Sequence, residues 1–322
     1  MRRLLHSLGF IAMLATLAAP LAHAQDYPAK PLTIVVPFAA GSGTDQMARA
    51  MGQALTEATK LPVIVDNKPG ANGFIASQYV ARAAPDGYTM LMTTNTTHAA
   101  NEHLYAKLPY DPVKDFSPVI LLAKGHMALM VNPASPIKTV ADLLADARKR
   151  PGKLSFGSGS SSSRVGSELL RQMAGIEVLH VPYKSNPFAI TDLIGGQIDF
   201  MFADAPTAVP QINGGKLRAL AVSGTKRLPS LPNVPTVDEA GVKGYDMSYW
   251  TAVYLPANAA PVVVKKLNEL LAKGMNAPAM LTFQANTSGE LSLSTPEGLA
   301  TFQAAESQKW GRVIKAAGIV PE

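Results

Sequence analysis

Cysteine is missing from the whole chain of 322 residues. Its absence excludes disulfide bonds, thiol nucleophiles and thiolate metal ligands, so core packing alone must hold the fold. Long apolar runs are missing as well. After the first 24 residues, no stretch approaches the roughly 18 uninterrupted apolar residues of a membrane-spanning helix. The body of the chain therefore predicts a globular protein built on a large hydrophobic core.

The first 24 residues read as a secretory signal peptide. Arg2 and Arg3 form a positive start, residues 8–19 are almost entirely apolar, and residues 22–24 match the A-x-A cleavage pattern. The apolar segment is too short to span a membrane and has no stop-transfer flank, which argues against a permanent anchor. We therefore expect cleavage after Ala24 and a mature chain that begins at Gln25.

The chain has only a small net charge. The chain has 29 basic and 23 acidic residues, and the signal peptide carries two of the basic ones, so the net charge falls from +6 to +4 on cleavage. The longest basic run, RKR at residues 148–150, is typical of a solvated helix end. We therefore predict no nucleic-acid partner.

Apolar runs alternate with helical patterns along the remaining chain. LTIVVPF, residues 32–38, reads as a buried strand, and apolar residues from Met47 to Leu55 then recur at helical spacing. The pattern returns later, with the strand KLSFG, the loop SGSSSS and an amphipathic helix that stops at Gly175. Strands that alternate with helices predict an α/β protein with a mostly parallel sheet.

Each of these two strands ends in a loop rich in glycine and hydroxyl side chains, at residues 38–45 and 157–163. In open α/β sheets, ligands lie beyond the carboxyl ends of the strands. Both loops lead into helix N-termini, where free N–H groups and about half a positive charge attract an anion. Neither loop contains lysine or arginine, so we predict a cleft in which backbone amides and hydroxyls bind an anion from both walls.

Other motifs fit the two loops poorly. The first loop lacks the lysine of a G-x-x-x-x-G-K-[ST] phosphate loop, and Gln46 replaces the third glycine of a dinucleotide fingerprint. Ser158 lies between Gly157 and Gly159, which is the wrong spacing for the G-x-S-x-G nucleophile motif. Ordinary turn chemistry is the remaining alternative for each loop.

Four histidines lie beyond the signal peptide, at positions 98, 103, 126 and 180. None stands in a recognisable triad context, although sequence distance alone does not exclude a triad. His98, Glu102 and His103 match neither zincin pattern. We predict surface or structural roles for these residues, with no metal site and no cofactor.

Read together, the motifs of the chain resemble one family. They are, in order, YPAKPLTIVVPFAAGSGTDQMAR, VDNKPGANG, PDGYTML, LPYDPVKDFSPV, FGSGSSSSR, VPYK, DLIGGQIDFMF, LRALAVSGTKR and NVPTVDEAG. The chain resembles the extracytoplasmic solute receptors of the tripartite tricarboxylate transporters, the Bordetella uptake gene (Bug) family. The resemblance covers essentially everything after the signal peptide, and the motifs are specific in combination rather than singly.

The resemblance implies the type II periplasmic binding-protein fold. Each of two α/β lobes would contain a mostly parallel sheet flanked by helices, and crossing strands would join the lobes around a ligand cleft. We expect residues 25–124 and 226–322 in lobe 1 and residues 125–225 in lobe 2. The crossings are then expected near residues 122–125 and 221–225.

The resemblance also implies a set of ligand-binding positions. Residues 38–45 correspond to the first-lobe carboxylate loop, residues 158–163 to the second-lobe loop, and Asp204 to a cleft position near the second crossing. Ser42 replaces the usual family glycine, so ligand identity is not carried over. Phe188 either lines the cleft or packs in the core of its helix. With three polar residues that follow the third strand, the candidates are Phe38, Ala39, Ala40, Gly41, Ser42, Gly43, Thr44, Asp45, Thr94, Asn95, Thr96, Ser158, Gly159, Ser160, Ser161, Ser162, Ser163, Phe188 and Asp204.

The leading hypothesis is a monomeric periplasmic receptor that captures a small organic carboxylate, a di- or tricarboxylate or an aromatic acid, for the membrane permease of a tripartite transporter. The first alternative is a sensor that presents the bound ligand to a membrane signalling partner such as a sensor kinase. The second is an exported hydrolase or lyase with Asp45 or Asp204 as a base. The sequence shows no partner acid or nucleophile for that chemistry, so we predict a protein without enzymatic activity.

Overall fold

The computed structural model describes residues 27–322, so the predicted signal peptide lies outside the described residues. Within residues 27–322 the chain forms ten strands and ten α-helices, besides a 3₁₀ helix at Ala71–Gly73 and a π-helix at Thr96–Ala100. The strands are β1 Leu32–Val36, β2 Val63–Asn67, β3 Thr89–Thr94, β4 Phe116–Val131, β5 Ser155–Ser158, β6 Leu179–Pro182, β7 Phe200–Asp204, β8 Arg218–Val222, β9 Ser248–Pro256 and β10 Glu290–Leu291. The helices are α1 Gly43–Thr59, α2 Phe74–Ala81, α3 Asn101–Leu104, α4 Val140–Lys149, α5 Ser161–Ala174, α6 Asn186–Ile194, α7 Ala205–Asn213, α8 Pro261–Gly274, α9 Pro278–Thr287 and α10 Pro296–Ala316.

Two parallel groups of strands form the sheets of the two lobes. In lobe 1, β1 is parallel to both β2 and β3. In lobe 2, β5 is parallel to both β6 and β7. The antiparallel strands β9 and β4 lie between the two groups, so the strand order is β2-β1-β3-β9-β4-β7-β5-β6. The α/β class and the two-lobed architecture predicted from the sequence are thereby confirmed.

The long strand β4 runs through both lobes. Its first part, Phe116 to His126, pairs with β9, whereas Met127 to Val131 pair with β7 and β8. Most of its residues are buried, as expected for a strand that is covered on both faces. One continuous strand therefore connects the two lobes at Gly125–Met127, close to the first expected crossing.

Contacts after β8 favour a return crossing further along the chain than the expected residues 221–225. Val237 N donates to Val222 O (2.9 Å), and the Tyr245 hydroxyl donates to Gly166 O on α5 (2.8 Å). Residues 226–247 therefore stay beside the lobe 2 strands, and β9 then enters lobe 1. These contacts favour a lobe boundary near Ser248, and our division of the chain into lobes remains a prediction.

The helices that follow β9 complete lobe 1. Leu267 and Leu271 on α8 and Met280 on α9 are fully buried in the same core as Leu32 and Ile34 of β1. Asn268 on α8 also donates to Val119 O on β4 (2.7 Å). Among residues 27–322, no helix is both long enough and apolar enough to cross a membrane.

Capping serines determine where the two loop-proximal helices begin. The Ser42 side chain accepts from the N–H of Asp45 (3.3 Å), and the Ser160 side chain accepts from the N–H of Ser163 (3.2 Å). Such caps replace the missing intrahelical partners of the first turn. The sequence thus starts α1 and α5 directly after β1 and β5, at the predicted loops.

Ser223, which directly follows β8, joins the two segments that pass between the lobes. Its hydroxyl accepts from Met127 N of β4 (2.8 Å) and donates to Met247 O, just before β9 (2.6 Å). Its own N–H and C=O bind the backbone of the same two residues at 2.8 Å. Ser223 is fully buried, so its hydroxyl bonds are shielded from water.

We expect Ser223→Ala to lower the free energy of unfolding by about 1–3 kcal/mol, because it leaves a buried N–H and a buried C=O without this partner. Denaturant unfolding measures the change. Ser117→Ala is the matched control, since Ser117 is only partly buried on β4 and its hydroxyl makes no hydrogen bond among the described residues. Equal unfolding midpoints for the two variants would contradict the role given to Ser223.

Candidate functional site

A small cavity of about 40 Å³ lies between the lobes. Most of its polar wall comes from residues at or just before the starts of four helices: Ser42 to Thr44 at α1, Ser160 and Ser162 at α5, Ser185 and Asn186 at α6, and Asp204 with Pro206 at α7. Its other lining residues are Phe38, Met47, Thr94, Met127, Tyr249 and Thr251.

The strand topology brings these four helices to one place. Each follows a strand of a parallel group: α1 follows β1, and α5, α6 and α7 follow β5, β6 and β7. Parallel strands present their carboxyl ends at one edge of a sheet, and the helices that follow begin there. Because the two lobes face each other, the helix N-termini of both converge on the cavity.

Free backbone donors remain at two of these N-termini. The N–H groups of Gly43 and Thr44 on α1, and of Ser161 and Ser162 on α5, have no acceptor among the described residues. The first N–H groups of a helix have no intrahelical partner, and the helix dipole adds positive potential at the same point. The cavity is therefore suited to an anion.

Basic side chains do not supply this positive potential. Asp204 is the one charged residue among the described lining residues. Arg49 turns away and pairs with Asp45 (2.9 Å), while Arg164 pairs with Glu322 outside this cavity. Backbone amides and hydroxyls are thus the available donors, in agreement with the composition of the loops.

Asp45 supports the first loop from behind. Its carboxylate accepts from Gly41 N (2.9 Å), Asn67 Nδ2 (2.9 Å) and Arg49 Nε (3.0 Å), and its side chain is 2% exposed. Burial alone would raise the pKa of Asp45, but the hydrogen bonds from Arg49, Gly41 and Asn67 outweigh it and hold the pKa below its usual value. Asp45 therefore stays ionised and shapes the loop without lining the cavity.

The serines of the second loop point in different directions. Ser160 and Ser162 line the cavity, and Ser162 also accepts from Asn95 Nδ2 of lobe 1 (2.9 Å). Ser158 pairs with His180 Nε2 (2.7 Å), and Ser163 donates to the backbone of Phe202. The structure thus brings only part of the predicted loop 158–163 to the cavity wall.

Ser161 and Asn95 connect the lobes, whereas Thr94 and Thr96 make no hydrogen bond across the cleft among the described residues. Ser161 donates to Asn101 Oδ1 across the cleft (3.0 Å). Thr94 lines the cavity, whereas Asn95 is fully buried between Ser162 and Trp250 N. Thr96 is fully buried, and its N–H donates to Thr94 Oγ1 (3.2 Å).

The remaining predicted residues lie at different places. Phe38 lines the cavity, but Ala39, Ala40 and Gly41 do not. Ala39 instead donates its N–H to Ser185 Oγ of the other lobe (3.2 Å). Phe188 is half exposed on α6 and does not line the cavity, so neither of the two positions considered for it matches the structure.

Gly43 and Gly159 each allow another part of the chain to come close to the backbone, but the neighbouring parts differ. A Cβ on Gly43 would overlap the Asp204 carboxylate of the opposite lobe. A Cβ on Gly159 would overlap the backbone of Ser185 and Asn186 within lobe 2. Gly43 therefore matters for closure over the cavity, whereas Gly159 matters for the internal packing of lobe 2.

Sequence reasoning missed several lining residues. Ser185 and Asn186 follow β6 as Ser-Asn-Pro, a helix-start pattern that the same strand-to-helix rule could have found. Tyr249 and Thr251 lie on β9, and no local signal marks them. Burial, together with the nearby Asp204 charge, raises the pKa of Tyr249 well above its usual value, so the phenol stays protonated.

His98 and His103 contact neighbouring side chains within the fold. His98 is fully buried, stacks on Tyr254 with 3.9 Å between ring centroids, and bonds Thr97 Oγ1 through Nδ1 (2.8 Å). His103 contacts Ser307 Oγ (3.2 Å). Within the part of the chain that the structure describes, no group of three His, Cys, Asp or Glu residues is placed to hold a metal.

Comparison with known proteins identifies the family. The model described as "Tripartite tricarboxylate transporter family receptor" matches residues 47–319. The chain belongs to this family. The resemblance seen in the sequence is confirmed, and members of the family are solute-binding receptors of the periplasm rather than enzymes.

Three solved structures are similar over nearly the whole described fold. "R. palustris Rpa4515 with adipate" has a TM-score of 0.89 at 35% identity, over 92% of this chain and 100% of that one. The periplasmic binding protein BugD has a TM-score of 0.88 at 31% identity, with the same coverage. MatC from Rhodopseudomonas palustris, with bound malate, has a TM-score of 0.84 at 29% identity, over 89% of this chain and 100% of that one.

The buried His98 predicts a pH-dependent stability. Burial lowers its pKa from 6.5 to about 3, so between these values the folded protein binds fewer protons than the unfolded chain. Stability therefore falls as the pH drops below about 6.5, by up to about 1.4 kcal/mol per pH unit. His98→Phe retains an aromatic ring against Tyr254 and removes this titration.

We expect His98→Phe to lose roughly 2 kcal/mol less stability than the wild type between pH 7 and pH 5. Denaturant unfolding at both pH values measures the difference. His180, whose pKa burial also lowers to about 4, is common to both proteins and does not affect the comparison. Identical pH dependence in the two proteins would show that His98 does not titrate in this way.

Proposed function

We propose that this protein captures a small organic carboxylate in the cavity between its lobes and delivers it to the permease subunits of a tripartite transporter. The observation that carries the proposal is the convergence of four helix N-termini on a cavity with no basic side chain among its described lining residues. A carboxylate there can accept from the free N–H groups of Gly43, Thr44 and Ser162, which line the cavity. Charge-assisted hydrogen bonds of this kind are stronger than neutral ones.

The size of the cavity favours a compact ligand. The space accessible to a water molecule is only about 40 Å³, which is more than one water needs but little for a bulky ligand. The similar structures MatC and Rpa4515 contain malate and adipate, which are both small organic carboxylates. A short-chain di- or tricarboxylate thus fits this closed arrangement better than an aromatic acid.

Contacts across the cleft support capture by closure. Ala39 N bonds Ser185 Oγ (3.2 Å), and Gln46 Nε2 bonds Pro206 O (3.2 Å). These join the two lobes around the cavity, while β4 continues between them. Bending at the crossing segments would open and close the cleft as a hinge. The permease would recognise the closed, liganded monomer in the periplasm, after removal of residues 1–24.

A thermal-shift screen of the purified protein against a library of carboxylates tests this function. A ligand that binds only the folded state raises the apparent stability, by about 2.7 kcal/mol at a hundredfold excess over Kd. We expect a rise in Tm with at least one short-chain carboxylate. The uncharged amide analogue of that ligand is the control. If no carboxylate raises the Tm, the proposed function is wrong.

Gly43→Val is expected to weaken carboxylate binding about a hundredfold or more. Its side chain would meet Asp204 and Pro206 and keep the lobes apart, so several charge-assisted hydrogen bonds would be lost. Asp45→Asn should retain much of the affinity, since Asp45 lies behind the loop, and Arg49→Ala should change it little. Isothermal titration of each folded variant measures the affinities.

The opposite pattern would contradict the proposal. Normal binding by Gly43→Val, with binding lost in Arg49→Ala, would mean that a salt bridge holds the anion. Gly159→Val is not a useful substitute for Gly43→Val, because its side chain would collide with the backbone of lobe 2. We expect that variant to lose stability before it loses ligand contacts.

A further inference from the structure

The carboxylate of Asp204 occupies an unusual position for the wall of an anion site. It lies at the end of β7 in lobe 2, and its Oδ2 lies so close to Gly43 of lobe 1 that a Cβ there would overlap it. Gly43 begins α1 and carries one of the free N–H groups. A bound carboxylate at that N–H would therefore lie beside a second negative charge.

Helix capping does not explain this position. Asp204 precedes the first residue of α7, but its side chain accepts no capping hydrogen bond from the α7 backbone. It is held by other side chains instead: Asn186 Nδ2 donates to Oδ1 (2.8 Å), and Thr207 Oγ1 donates to Oδ2 (2.5 Å). Two side chains of lobe 2 thus fix the carboxylate at the cavity wall.

The Asp204 carboxylate also has unused capacity. An ionised carboxylate offers about four lone-pair sites, and the described side chains use two of them. The nearby Tyr249 phenol makes no hydrogen bond to it. A ligand hydroxyl or ammonium can therefore donate to Asp204, whereas a ligand carboxylate or a bare methylene at the same point cannot.

We infer that Asp204 makes the cavity selective for carboxylates that carry a hydroxyl or ammonium group on the carbon next to the carboxyl group. The carboxyl group accepts from the N–H groups at the start of α1, and the neighbouring donor binds Asp204. The short distance between Gly43 and Asp204 requires the two ligand groups to be adjacent. This inference rests on the proposed function and adds a ligand class to it.

Succinate, malate and aspartate provide a matched test, because they share one carbon skeleton and differ in a hydrogen, a hydroxyl or an ammonium group at one carbon. Isothermal titration of the full chain with each compound gives the affinity ratios. We expect malate or aspartate to bind the wild type about tenfold or more tightly than succinate, as a hydrogen bond to a charged group provides. Whichever of malate and aspartate binds more tightly shows whether the site prefers a hydroxyl or an ammonium group.

Asp204→Asn should reduce that preference about tenfold. It removes the charge with little change of shape, so binding of the preferred ligand should weaken relative to binding of succinate. Asp204→Ser is a second variant, which keeps the test valid if the first does not fold. Asp66→Asn is the matched control, because Asp66 pairs with Lys68 (3.1 Å) and does not line the cavity.

An unchanged ratio in both folded Asp204 variants would overturn the inference, as would tightest wild-type binding of succinate. If none of the three compounds binds while another carboxylate without an adjacent donor raises the Tm in the screen, the inference fails and the proposed function stands. If no carboxylate at all raises the Tm, both fail.

Discussion

The proposed site depends on one interaction, the attraction between an anion and the free N–H groups at helix N-termini. Each of these groups lacks an intrahelical partner, and each helix adds a partial positive charge at its start. Four helices begin at one small cavity, so their contributions add at a single point. A receptor that uses amides avoids breaking a buried ion pair when it releases its ligand, and such a pair is costly to break.

The architecture of the sheets brings the helix N-termini to the cavity. Two parallel groups of strands place helix starts at their carboxyl ends, and β4 passes from one group to the other so that these ends face across a cleft. Ser223 ties β4 to the segment that leads into β9, which returns to lobe 1. The charged groups near the first loop, Asp45 and Arg49, satisfy each other and leave the amides of α1 free.

The motifs of the chain in combination predicted the family and its two-lobed fold. Local patterns predicted the α/β class and the two loops, because a buried strand that ends in small residues before a helical pattern has one common structural outcome. It did not predict which serines of residues 158–163 face the cavity, since capping by Ser160 sets the rotation of α5. Tyr249 and Thr251 reach the site only through the pairing of β9 with β3 and β4. The position of the second crossing likewise depends on contacts such as Tyr245 to Gly166, between residues distant in sequence.

Amide chemical shifts test the central claim most directly. In ¹H–¹⁵N correlation spectra recorded during titration with a carboxylate found in the screen, we expect the largest downfield amide-proton shifts at Gly43, Thr44 and Ser162. The Nε–H signals of Arg49 and Arg164 should change little. Large changes at those arginine signals, with the three amide signals unmoved, would show that side-chain cations hold the anion and would contradict the account.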